Sequence, residues 1–195
     1  MNVKNQEKYN QLRESYPCFE YRGFEYDIVE GDFVLKFHFY CRNHSFTPTH
    51  TFKVKEFYSF NHLSKAQLDL LVFNIGMIEL VSYWKAFCSP TILIHDYKLD
   101  SEQLAFWRKI YFYGLGEFFF INGIKTDINS FVNFAFDTDK ELQPCAFDLE
   151  DKYIVPIGGG KDSVVSLDLL YGAGRDVRTF IINPRGATLD CCKQA

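Results

Sequence analysis

The stretch that most restricts this chain is residues 153–168, YIVPIGGGKDSVVSLD, where a short apolar run meets three glycines and leaves them as a helix. Tyr153, Ile154 and Val155 read as a buried parallel strand, with Pro156 where a ladder N–H is no longer needed. Gly158, Gly159 and Gly160 admit left-handed backbone angles and leave no Cβ in a ligand's way. Val164, Val165, Leu167, Leu169 and Leu170 then supply the apolar side of a helix to about residue 171. Its free N–H groups and positive dipole end point over the glycines, and an anion suits them. Lys161 adds a point charge and Ser163 a hydroxyl. A glycine turn with no ligand is the plainer alternative; Lys161, Asp162 and Ser163 in one helical turn favour a phosphate.

A Walker loop needs Ser or Thr after Gly-Lys, and Asp162 stands there. A dinucleotide fingerprint needs a third glycine where this chain has Ser163. The residues resemble instead the PP-loop of the ATP pyrophosphatase superfamily, Ser-Gly-Gly-x-Asp-Ser, read here as Gly158 to Ser163 with glycine in place of the first serine.

Elsewhere, 195 residues with 47% apolar and 24% charged content describe a soluble globular chain of one or two domains. A net charge of −4 offers no basic field for nucleic acid. The polar start, MNVKNQEKYNQLRE, has no signal-peptide core, which predicts a cytoplasmic protein with no membrane association. Cys18, Cys41, Cys88 and Cys145 are scattered and Cys191-Cys192 adjacent, so reduced, mostly buried thiols are expected. Cys41, His44 and His50 match no zinc spacing.

Alternation by twos at Phe24, Tyr26 and Ile28, then Phe33, Leu35, Phe37 and Phe39, and again at Phe52 and Val54, predicts antiparallel strands. Turns are expected at Gly31-Asp32 and across residues 43–49. Ser64 to Gln67 forms a capping box for a helix to about residue 87, apolar almost all round and therefore expected at the centre of a core. Asp100 to Gln103 repeats the cap ahead of a second helix, in which Gly114 and Gly116 are expected to allow a close approach. Glu79 and Glu117 sit among apolar residues, where an ionised carboxylate is costly unless satisfied, so each is either a structural group or a weak catalytic candidate. The acidic stretch 137–151 reads as a domain boundary. One βαβ unit follows, and nothing before it is expected to supply further parallel strands.

The segments NIGMIELVSYWKAFCSP, LGEFFFINGI and PIGGGKDS, in that order, resemble the ATP-dependent UDP-N-acetylmuramoyl-L-alanyl-L-glutamate epimerase family of peptidoglycan synthesis. The resemblance implies an α+β N-terminal domain over residues 1–148 and the truncated start of an α/β PP-loop nucleotide-binding domain over 149–195. It also implies activation of the terminal L-glutamate carboxylate as an acyl-adenylate, with ATP and Mg²⁺ as cofactors, followed by inversion at the α-carbon. Gly159, Gly160 and Lys161 would hold the diphosphate, with Gly158 opening the same ATP-binding loop; Ser163 would donate its hydroxyl, and Asp162 would orient the loop or lie near Mg²⁺. The strand end at Ile181, Ile182 and Asn183 would lie beside the adenine. The UDP-linked muramoyl dipeptide is the implied partner. Another PP-loop adenylating enzyme, or a nucleotide-binding module without turnover, are the alternatives.

Overall fold

The computed structural model describes residues 3–53, 63–181 and 184–194. They divide into two compact units, Met1–Ala146 and Phe147–Ala195, and the division falls inside the acidic stretch.

The first unit is α+β. It begins with a helix, α1 (Val3–Ser15), within the polar start for which the sequence predicts no element. Its residues carry no apolar stripe, and tertiary contacts hold it. Tyr9 is buried, and Arg13 donates to the carbonyls of Phe131 at 2.6 Å, Cys88 at 3.1 Å and Ser130 at 3.3 Å. Strands β1 (Cys18–Val29) and β2 (Asp32–Cys41) then pair antiparallel. Their turn is Glu30-Gly31, one residue earlier than expected. Both residues have positive φ, 54° and 89°, matching the two-residue turn whose twist suits a hairpin.

Along its outer edge β2 pairs with β3 (His44–Phe46) and β4 (Thr49–Phe52), and the ladder breaks at Thr47-Pro48, where proline has no N–H to give. The predicted strand position Val54 lies outside the described residues. On its other edge β1 pairs parallel with β5 (Thr91–Ile94), which pairs parallel with β6 (Asn133–Phe136). The sheet is therefore mixed, in the order β3-β2-β1-β5-β6 with β4 also on β2. The expectation that the region before the glycine loop lacks parallel strands is overturned. TILI and NFAF are too short to display a period.

Helix α2 (Lys65–Trp84) opens with the Ser64/Gln67 capping box and stops three residues short of the expected end. Val72, Phe73, Gly76, Met77, Leu80 and Trp84 form its buried face. Leu71, Ile75 and Ile78 are exposed, so the helix lies against the core by one stripe instead of running through its centre. Among the described residues it is the one helix long and apolar enough to cross a membrane by length and composition. Asp100 and Gln103 cap α3 (Ser101–Gly114), whose buried Tyr111 donates to the Met77 carbonyl at 2.5 Å. Next, α4 (Gly116–Asn122) ends on left-handed Gly123. A Cβ at Gly114 or Gly116 would meet nothing within 4 Å, so the expected close approach is absent there. It occurs at Gly76, where a Cβ would collide with the ring of Tyr21.

The second unit is a parallel pair, β7 (Tyr153–Pro156) and β8 (Val177–Phe180), with α5 (Lys161–Gly172) between them in sequence and α6 (Gly186–Gln194) after them. Val155, Ile157 and Leu167 form its small core. Ile154, read as buried, is 71% exposed, and Val164, Val165 and Leu169 are exposed as well. Among the described residues β8 and α6 add no buried side chain; Val177, Cys191 and Cys192 pack half-buried against that core. All six cysteines are free thiols, but only Cys41 and Cys88 are buried, which corrects the expectation that most would be.

Candidate functional site

Of the three glycines in the loop between β7 and α5, only Gly159 takes the left-handed angle expected of all three; Gly160 has φ −95°. Gly159 has φ +78°, and a Cβ there would lie 3.2 Å from the backbone nitrogen of Thr188, so both conformation and space demand glycine. Gly158 and Gly160 differ: a Cβ at either meets nothing within 4 Å, so their backbones are open to a ligand. Gly160 is the N-cap of α5 in extended conformation and makes no side-chain capping bond. The first N–H groups of α5 are thereby left for another acceptor.

Lys161 and Asp162 are exposed in the first turn, one adding and one subtracting charge from the helix's positive end. Ser163 Oγ accepts from the Gly158 N–H at 3.1 Å, closing the loop on itself. Ile182 and Asn183 lie outside the described residues.

Helix α6 was not foreseen, and it contributes. Its first turn abuts Gly159 through Ala187 and Thr188, so a second helix start lies beside the loop. The Arg185 N–H donates to Thr188 Oγ1 at 2.9 Å, which caps that turn and sets an exposed arginine next to it. Its signal in the sequence was the Pro-Arg-Gly-Ala-Thr run after β8, a capped start with proline ahead of it. A cavity of about 560 Å³ opens between α5 and α6, lined by Gly159, Val164, Leu167, Tyr171, Asp168 and Asp190 among others. This lining adds Asp168 and Asp190 and no basic residue, so the uncapped start of α5 fits an anion better than the cavity does.

These residues fit a diphosphate: two unobstructed glycines, uncapped N–H groups and the nearby cations Lys161 and Arg185. For a metal the fit is thinner. Among the described residues no group of three or more His, Cys, Asp or Glu could hold an ion, so Mg²⁺ would have to share Asp162 with phosphate oxygens.

The two weak catalytic candidates stand in the first unit. Glu79, on α2, faces His50 with Oε2 3.6 Å from Nε2, within ion-pair reach and too long for a hydrogen bond. His50 Nε2 is buried and has no hydrogen-bond partner among the described residues. Glu117 is exposed in the first turn of α4, where the helix dipole favours a carboxylate. Neither is the desolvated carboxylate that its apolar neighbours in sequence suggested.

A polar cluster at the carboxyl ends of the parallel strands escaped sequence reasoning because its members are far apart in the chain. His95, directly after β5, has Nδ1 2.7 Å from Asp137 Oδ2 and Nε2 3.2 Å from Glu20 Oε2. Glu20 also receives Arg22 Nε at 2.7 Å. The imidazole thus ties β1 to the ends of β5 and β6.

A family model described as the MurL N-terminal domain matches residues 10–195. A protein of Xanthomonas oryzae pv. oryzae (strain MAFF 311018), UDP-N-acetyl-alpha-D-muramoyl-L-alanyl-L-glutamate epimerase, is 38% identical over 102 residues. That match covers 52% of this chain and 22% of the relative's length. No solved structure matches.

Proposed function

The chain belongs to the MurL N-terminal domain family, and on that premise we propose that it serves a cytoplasmic, ATP-dependent epimerase of UDP-N-acetylmuramoyl-L-alanyl-L-glutamate. The relative's name supports the substrate and the isomerase class. The observation that carries the nucleotide half is the uncapped start of α5 behind two glycines with open space at their Cβ positions.

In this reading the terminal glutamate carboxylate attacks the α-phosphate of ATP, giving an acyl-adenylate and pyrophosphate. The backbone N–H groups of Gly159, Gly160 and Lys161, with the Lys161 ammonium, hold the departing diphosphate. Ser163 exchanges its bond to Gly158 for one to a phosphate oxygen, and Asp162 orients the loop. Bound Mg²⁺ would supply charge neutralisation at the phosphates. Adenylation removes the negative charge that makes the free carboxylate so weak a carbon acid. The α-proton then becomes accessible to a positioned base, a contribution of typically about 10²–10⁴-fold.

Gly160→Asp is the cleanest test, because the new side chain meets no neighbour yet sets a carboxylate at the helix start. Calorimetric titration with ATP and Mg²⁺ is expected to show binding by the wild type and at least a tenfold loss in the variant at unchanged circular dichroism. Equal affinity in a folded variant sinks the site. With the full-length enzyme, the muramoyl dipeptide, ATP and Mg²⁺ in D₂O, the expected products are AMP, pyrophosphate and α-deuterated D-glutamyl product; inversion without ATP refutes the mechanism.

A further inference from the structure

A cavity of about 720 Å³ in the first unit lies where side chains leave the carboxyl end of β5, lined by Phe24, Tyr26, Tyr97, Asp69, Asp96 and Lys140, with Lys65 and Glu25 at its rim. Ligand sites form preferentially outside the carboxyl ends of parallel strands. Accounting for each charge decides what this one can take. Asp69 is occupied: it receives Lys65 Nζ at 2.6 Å and the Tyr26 hydroxyl at 2.8 Å. Glu25 faces His38 Nε2 at 3.2 Å. Two groups remain. Asp96 Oδ2 is buried and accepts no hydrogen bond among the described residues. Lys140 makes no ion pair within 4.0 Å among them; its Nζ lies 4.3 Å from the centroid of the Tyr97 ring.

The seat for Asp96 is built. β1 carries a bulge between Tyr21 and Gly23, and a Cβ on Gly23, whose φ is +137°, would press to 3.2 Å on both carboxylate oxygens of Asp96. The opposite wall is fixed by backbone. The Lys98 N–H donates to the Lys140 carbonyl at 2.7 Å, and the Leu142 N–H to the Lys98 carbonyl at 3.2 Å, which holds Lys140 beside Tyr97.

An orphan acceptor and an unpaired cation across one aromatic-walled cavity call for a ligand with an N–H donor and an anion close together. An N-acyl amino acid carries both on a single residue, whereas a neutral sugar offers donors but nothing for Lys140. We propose that this cavity binds the N-acyl-glutamate end of a peptide, its amide N–H donating to Asp96 and its carboxylate meeting Lys140. The identification of glutamate rests on the function proposed above; the acyl-amino-acid class rests on the cavity alone. Burial raises the Asp96 carboxyl above its ordinary range, opposed by Lys140 and His95, reinforced by Asp69, and opposed again by His38. A donor on this carboxylate offsets that cost by hydrogen-bonding the ionised form.

The test is titration of the chain with N-acetyl-L-glutamate in the absence of ATP, followed by NMR. Saturable binding is expected, weakened at least tenfold by Asp96→Asn and by Lys140→Ala, with N-acetyl-L-glutamate dimethyl ester binding as poorly as the Lys140 variant. No binding at millimolar probe overturns the proposal. So does binding that both variants retain, and so does binding of methyl glucoside but not of the probe. Gly160→Asp is expected to bind the probe as the wild type does. Loss of the nucleotide site therefore leaves this result unchanged, and failure here leaves the nucleotide reading standing.

Discussion

Replacing Gly76 by alanine tests how tightly α2 lies on the sheet. A Cβ at this position would overlap Tyr21 Oη and stand 2.6 Å from Tyr21 Cζ and 2.8 Å from Phe37 Cδ1. Tyr21 and Phe37 are both 0% exposed, and the Tyr21 ring stacks on Phe73 with centroids 5.5 Å apart, so neither ring has room to retreat. Forcing one methyl into such a core costs about 1–3 kcal/mol, and two trapped rings place this case at the upper end. Alanine returns about 1 kcal/mol of helix propensity, leaving a net loss of about 2 kcal/mol. With a urea slope of about 2 kcal/mol/M, the unfolding midpoint of the first unit is expected to fall by about 1 M.

Gly114→Ala is the control, since its Cβ meets nothing within 4 Å. It is expected to leave the midpoint unchanged or raise it by up to about 0.5 M, from propensity alone. Tyr21→Phe in the Gly76→Ala background removes the hydroxyl overlap and is expected to restore part of the loss, a coupling that a double-mutant cycle reads directly. If Gly76→Ala proves as stable as the wild type, the seating of α2 described here is wrong. The consequence reaches the cavity, because α2 also carries Lys65 and Asp69.

Burial raises the Cys88 thiol to about 11, against the opposing charges of Arg13 and Lys8. At pH 7.5 iodoacetamide is therefore expected to label Cys88 at least about tenfold more slowly than a free cysteine, as peptide mass spectrometry resolves; equal rates refute it. Asp96 titrates higher in the folded chain than in the unfolded one, so the folded state holds its proton more tightly. Its contribution to stability is full below the unfolded value of about 3.9 and is lost as pH rises through the folded value. Asp96→Asn is thus expected to gain stability relative to wild type as pH rises from about 4 to 7. A relative loss over that range, in paired denaturant titrations, contradicts the burial of this carboxylate.

Local chemistry was legible in the sequence and long-range pairing was not. Ser64 with Gln67, and Asp100 with Gln103, each form the reciprocal cap that their spacing announced, because a cap is decided within four residues. Alternation along β2 likewise reported one buried face, whereas on β1 the bulge after Tyr21 shifts that face and leaves Ile28 half exposed. By contrast, α1 is polar in sequence and depends on Arg13 reaching carbonyls of distant segments. β5 and β6 have four residues each, below the length at which a period can be counted. In the glycine loop the residue types signalled the left-handed angle at Gly159, which Gly158 and Gly160 do not share. The exposure of Ile154 and Val165 depends on how many strands and helices surround them, which their own identities do not encode. Asp96 and Lys140 line one cavity, and Glu20 and Asp137 flank His95, only after the sheet has formed.

β1 joins an antiparallel half of the sheet to a parallel half, and the two halves close very different lengths of chain. The β1–β2 ladder begins at Val29 beside Asp32, a loop that closes in microseconds. On the other edge Cys18 must find Thr91, and Thr91 must find Asn133, each a search whose entropy has to be spent before any contact rewards it. During synthesis the hairpin therefore leaves the ribosome with one edge of β1 complete and the other bare. That bare edge, flanked by Phe19 and Tyr21, is the surface most exposed to wrong partners until β5 emerges. The walls of the acyl-amino-acid cavity come together with that last docking, so a chain delayed at this stage would have its hairpin but no site.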